Sequence, residues 1–182
     1  MTAALAVAAS TAWGAPAARV DLVGAARCVS AWLEAIASAA PASPDPRPRG
    51  GDGARWDRAR ALLAPAALAA ASAAHFGHPL APWKTLGRGA AFLGYELFSA
   101  RCVPRGAAVV YGVERTVASP RDDAVERRCA WLAAPVAGAW RIVDARCGRD
   151  FGDDEVRTGY AGAWDDPRSL HAAVDPRPAG QR

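Results

Sequence analysis

Lysine is almost missing from this 182-residue chain: Lys84 stands alone among 22 basic residues, and the other 21 are arginine. Methionine occurs once and histidine three times. With so few histidines and no C-x-x-C pair among four cysteines, neither a zinc site nor a thioredoxin-like redox motif is implied. No Gly-rich phosphate loop, G-x-S-x-G elbow or dinucleotide fingerprint occurs; Gly87-Arg88-Gly89 reads as a turn. No apolar run reaches the roughly 18 residues of a membrane span. Basic charge is not gathered either. Arginines alternate with acids, so the net charge of +4 forms no stripe and nucleic acid is not an expected partner. No cofactor and no metal is called for.

What the chain does have is alanine, tryptophan and one clear hairpin. Hydrophobic residues make up 52%, but alanine inflates that figure and buries little area, so the seven tryptophans carry much of the packing. In Ala124–Cys147, Val125, Arg127, Cys129 and Trp131 alternate with Glu126, Arg128 and Ala130. The second arm alternates Trp140, Ile142 and Asp144 with Arg141, Val143 and Ala145. Period two with β-branched and aromatic residues, broken between Pro135 and Gly138, predicts two antiparallel strands. Trp131 should lie near Ile142 or Val143 across the ladder. A lone ribbon is unstable, so further strands and a covering helix are required.

The helix is upstream. Leu22, Ala26, Val29, Leu33, Ile36 and Ala40 recur every three or four residues after Asp21, with Trp32 on the flank and Cys28 at the edge of the stripe. The proline-rich segment 41–53 then reads as a flexible loop. Asp52 suits the cap of a second helix facing Trp56, Ala59 and Leu62 or Leu63 inward. Pro65 suits the first turn of a third helix that leaves at Gly77, with Leu68, Ser72, His75 and Phe76 on one side. Strands are predicted at Phe92–Val103 and Ala107–Ala118, turning at Pro104-Arg105-Gly106, with Val109, Tyr111, Val113 and Val117 sharing a face. Asp166-Pro167 opens a short helix through Val174. The expected fold class is α+β: N-terminal helices on a curved, mainly four-stranded antiparallel meander. Residues 1–20 read as a signal or disordered leader, 21–175 as one domain and 176–182 as a disordered tail.

That leader is small and apolar but lacks a basic n-region. With an even cysteine count it points to a periplasmic or secreted protein, the cytoplasm being the alternative. Of three pairings, Cys129–Cys147 is preferred because those residues sit on opposite arms of the hairpin. Cys28–Cys102 would then tie the first helix to the sheet.

The order of these elements resembles the nuclear transport factor 2-like (cystatin-like, cone-shaped α+β) superfamily. Arg55–Ala67, Gly94–Cys102 and Ala139–Gly148 (AWRIVDARCG) carry the resemblance, with Ser169–Val174 similar to a terminal element of small exported members; it covers about residues 20–175. Such a likeness implies a sheet wrapped on the first helix and a pocket at the open end of the cone. Members use that pocket as isomerases, dehydratases, hydrolases or polyketide cyclases, or simply to bind. The enzymes of that fold place an Asp/His or Asp/Arg/Tyr group inside the cone, and no matching histidine–acid pair exists here.

Candidate residues follow. Trp32, Trp56, Trp83, Tyr111 and Trp131 are expected to line a ligand pocket. Asp144 would be a general base if its face is the concave one. On the outer face it pairs with Arg127, Arg128 or Arg146, which is the reading preferred. Tyr95, Tyr111 and Arg115, with Glu96 and Glu114, are the other polar strand residues; they bind a carboxylate, orient a water, or serve as cross-strand pairs. His75 and His78 lack a third ligand and suit capping, His171 faces solvent, and Asp150, Asp153, Asp154 and Glu155 do not match an EF-hand spacing. The expected role is a non-catalytic exported domain that binds a small apolar ligand or a protein partner, with a homodimer allowed through the sheet. The alternative is a small isomerase or hydrolase using Asp144 with Tyr95 or Tyr111.

Overall fold

The computed structural model describes residues 20–40, 54–75, 77–86, 90–119 and 121–148. Helix α1 (Leu22–Ala39) begins where the Asp21 carboxylate accepts the Gly24 N–H at 2.8 Å, and it ends as Ala40 turns extended ahead of the prolines. Its buried stripe runs Ala25, Cys28, Val29, Trp32, Leu33, Ala35, Ile36 and Ala39. The stripe is therefore centred on Trp32 rather than flanked by it, and Leu22, Ala26 and Ala40 sit half-buried at its margin. A helix gripped by a curved sheet buries a wide sector, and the bulkiest ring takes the middle. By length and composition α1 also passes for a membrane span, but here that apolar sector is the protein core.

A 3₁₀ turn at Ala54–Trp56 leads into the four-residue α2 (Asp57–Arg60), and Leu63 forms a parallel bridge to Ile142. The Ala64 N–H donates to the Ile142 carbonyl at 2.8 Å and the Ile142 N–H to that of Leu62 at 2.9 Å, which covers the middle of one sheet edge. Pro65 opens α3 (Pro65–Ala73). That helix stops before the expected exit at Gly77, and its buried residues are Ala67 and Ala71 rather than Leu68 and Ser72. Methyl-sized side chains let it lie close to its neighbours. The single lysine explains the early stop: Lys84 Nζ, on α4 (Pro82–Leu86), donates to the Ser72 and Ala74 carbonyls at 2.6 Å each. A cation on the last carbonyls satisfies them and complements the helix dipole.

Four antiparallel strands follow as a meander, β1 (Ala91–Val103), β2 (Ala107–Val117), β3 (Val125–Val136) and β4 (Ala139–Gly148), in spatial order β1-β2-β3-β4. The sheet is curved and unclosed, and the α+β class is as expected. The β3–β4 turn is tighter than the Pro135–Gly138 break suggested. Only Ala137 and Gly138 leave the ladder, both at positive φ (50° and 79°), the geometry of a two-residue hairpin.

One extra residue decides what β4 shows to each face. Ala133 pairs with Ile142 but Leu132 with Asp144, so Val143 is a bulge. Beyond it the alternation is reversed. Asp144 leaves the face of Ile142, Trp131 sits opposite Ala145 rather than Ile142 or Val143, and Cys147 comes opposite Cys129. The helix-facing side thus holds Ala108, Val110, Gly112, Glu114 and Thr116 of β2 with Ala133, Trp131, Cys129, Arg127 and Val125 of β3. Gly112 is required there, because a Cβ would land on the Glu96 carbonyl oxygen. The far side carries Val109, Tyr111, Val113 and Leu132, all buried, with Arg115, Glu126, Asp144 and Arg146. Edge strand β1 is broken by bulges at Leu93 and Phe98, both exposed, which blunts it against edge-to-edge pairing.

Candidate ligand site

A cavity of about 320 Å³ opens at the end of the sheet where β1 and β3 begin and β2 ends. Ile36 of α1 closes its back, and the Pro79, Pro82 and Leu86 side chains form a roof between α3 and the sheet. Phe92, Thr116 and Val125 come from three strands. Such a volume sits at the small end of ordinary ligand pockets.

Two charges face this apolar space. Glu114 is 5% exposed and is the one buried charged side chain among the described residues. Burial pushes its carboxyl above the usual carboxylate range, and the guanidinium of Arg127, ion-paired with it from the directly opposed position on β3, draws it partly back. Arg127 Nε is buried and has no hydrogen-bond partner among the described residues. His78 stands on the same wall, where its Nδ1 accepts the Leu80 N–H at 3.2 Å. In the neutral ring the proton is therefore on Nε2, which makes His78 a donor toward any ligand it reaches. The wall offers donors from Arg127, His78, Thr85 and Thr116, and one carboxyl group, that of Glu114.

The residues expected to line a pocket do not line this one. Trp32, Trp56 and Trp131 are fully buried, and Trp83 and Tyr111 nearly so (8% and 4% exposed). They are core. Trp83 packs against Trp56 with ring centroids 6.5 Å apart, under the Arg60 guanidinium. Tryptophan's area makes filling a core its cheapest use, and the cavity is lined instead by smaller groups such as Pro79, Pro82, Leu86 and Val125.

Of the four side chains weighed for catalysis, Tyr95 is on the helix-facing side and the other three are on the far side, away from the cavity. Tyr95 faces α1, where its hydroxyl lies 2.8 Å from Ser30 Oγ and donates to Glu34 at 3.3 Å. Tyr111 lies on the far face and accepts from Arg101 Nε at 2.7 Å. Asp144 is also there: its Oδ1 accepts the Ala145 N–H at 2.8 Å, and Arg146 Nε is 3.9 Å from Oδ2. Arg115 is exposed and paired with Glu126 at 2.9 Å. The His171 and Asp150–Glu155 readings lie outside the described residues. Glu114 and Arg127 were readable as charged strand residues, and a parity count from Trp131 through Cys129 to Arg127 puts that arginine on the core side.

Cys129 and Cys147 form a disulfide, their sulfurs within 4.8 Å of a Glu114 oxygen. Bonded to each other, they are not thiolate ligands for an ion. The Cys28–Cys102 bond is absent, and both residues are free thiols. Cys28 turns toward β4, donating to the Trp140 carbonyl at 3.4 Å, whereas Cys102 is on β1 at the opposite edge. Three strand spacings, about 14 Å, exceed what a disulfide spans.

Fold and site together define a small α+β domain with a ligand-sized cavity and a buried acid–arginine pair. No family model matches the chain, and no curated protein matches it closely enough in sequence to stand as a relative.

Proposed function

We propose that this is an exported, small-ligand-binding domain of the nuclear transport factor 2-like kind, which takes a compact and mostly apolar molecule into the cavity beside Glu114 and Arg127. The observation that carries this reading is the cavity itself: about 320 Å³, walled by Ile36, Leu86, Phe92 and Val125, with the Glu114–Arg127 pair facing into it. A helix followed by a four-strand meander supports the family likeness. An isomerase or hydrolase built on Asp144 gains no support: Tyr95 lies on the opposite face of the sheet from it, and none of Asp144, Tyr95 and Tyr111 lines the cavity.

Filling the cavity tests the proposal. Phe92→Trp should weaken binding of 2-naphthol, followed by its fluorescence, at least about tenfold while the thermal midpoint is kept, because added ring atoms occupy the ligand's space. Val23→Ser on the exposed side of α1 is the control. Equal binding by Phe92→Trp and the parent protein would refute a ligand in this cavity.

Export rests on the disulfide, which persists in oxidising compartments. Thiol titration of the native protein should find one reactive group, the exposed Cys102, and a second only in denaturant. The second is Cys28, whose burial pushes its thiol up to about 11 and withholds the reactive thiolate. Four thiols in freshly isolated native protein would contradict export.

A further inference from the structure

Among the described residues, Arg127 is the one arginine or lysine on the cavity wall, and its present partner is the chain's own carboxylate. We infer that the ligand is a small apolar carboxylic acid, whose carboxylate replaces Glu114 on the Arg127 guanidinium while Glu114 takes up one proton from solvent. This deepens the proposed function and rests on it.

Three observations carry the inference. Arg127 Nε is buried without a hydrogen-bond partner among the described residues, so a guanidinium that turns from Glu114 to a ligand carboxylate gains a second, parallel hydrogen bond. The other wall groups, Thr85, Thr116 and His78 Nε2–H, supply donors and match acceptor oxygens. Glu114 lies deeper than Arg127, with side-chain exposures of 6% and 28%. Once its partner turns to the ligand, the acid is relieved of its buried charge by becoming neutral. Among the described residues the groups around Glu114 are few: Arg127 from β3, His78 on the same cavity wall, and Tyr95 opposite it on β1, whose hydroxyl is committed to Ser30 and Glu34. The disulfide sulfurs nearby do not titrate. A ligand amine would meet Arg127 head-on, and an alkane would leave its Nε unpaired. An engineered 150 Å³ cavity holds benzene, so this one suits a chain of about ten heavy atoms, such as octanoate.

Calorimetry of the full chain with octanoate, 1-octanol and octylamine, in buffer pairs of different ionisation enthalpy between about pH 5.5 and about 7.5, reads the exchange directly. Octanoate should bind with close to one proton taken up, and its affinity should fall by up to about tenfold per pH unit where the free Glu114 is ionised. Octanol should bind more weakly and without pH dependence. Glu114→Gln should bind octanoate at least about tenfold tighter at the upper pH and lose the proton uptake. Arg127→Lys should reduce the preference for octanoate over octanol, because a point charge replaces the two-pronged contact. Equal, pH-independent binding of octanoate and octanol, or preference for octylamine, would overturn the carboxylate inference and leave the cavity reading standing. Binding of none of the three would overturn both.

Discussion

Replacing Arg127 by methionine should cost about 3–5 kcal/mol at neutral pH, because it leaves Glu114 buried and without its countercharge. The lower part of that range is expected, since the arginine is 28% exposed and its pairing is partly screened. The loss should shrink on acidification. Burial already raises the Glu114 carboxyl above its ordinary value, so the native state holds this proton more tightly than the unfolded chain does. On account of this group, stability is fully present below the unfolded value of about 4.3 and declines as pH rises through the folded value. Arg127 lowers the folded value and limits the decline; without it the decline extends to higher pH. Urea unfolding of both proteins should therefore show close midpoints near about pH 4 and well-separated ones near about pH 7. An equal deficit at both pH values would mean that methionine merely packs badly and that Glu114 is not strained by burial.

The same pair shows how far the sequence could be read. The strands, their order and the helix-first architecture were legible, since each rests on local periodicity: two in Val125–Ala133 and about 3.6 in Ala25–Ala39. The Cys129–Cys147 pairing was legible as hairpin topology, but its face was not. Counted by simple alternation, Asp144 belongs with Ile142 and could be a buried base; the bulge at Val143 sends it to the far side. No residue type announces a bulge at that place. The tryptophans misled for a related reason. An aromatic residue signals burial, and burial in a filled core looks the same in sequence as burial along a cavity wall. Part of the cavity wall comes from Gly77, His78 and Pro79 and from the short α4, which have too little period in sequence to be followed. Cys28 and Cys102 illustrate the remaining gap: a stripe gives the helix face, but which edge of the sheet that face approaches is a tertiary fact.

The largest packing effect is expected at Trp131. It lies at the centre of the helix-facing side of β3, opposite Val110 and Ala145, and it is fully buried. Its ring edge comes up against Gly112, where a Cβ would stand 3.1 Å from the indole. Trp131→Ala removes that ring from between two strands held in register by the ladder and the disulfide, so the walls cannot close on the void. Thermal unfolding followed by circular dichroism should show a loss of about 3–5 kcal/mol, or roughly 6–20 °C in midpoint. Trp131→Phe separates the ring's volume from its N–H. The indole Nε1 is buried with no hydrogen-bond partner among the described residues, so its removal leaves no acceptor stranded and sheds a desolvated donor. Only the smaller ring then counts against phenylalanine, and its cost should stay below about 1.5 kcal/mol. If phenylalanine proves nearly as damaging as alanine, the indole N–H has a partner that holds it in place, and the tryptophan is there for that bond as much as for its bulk.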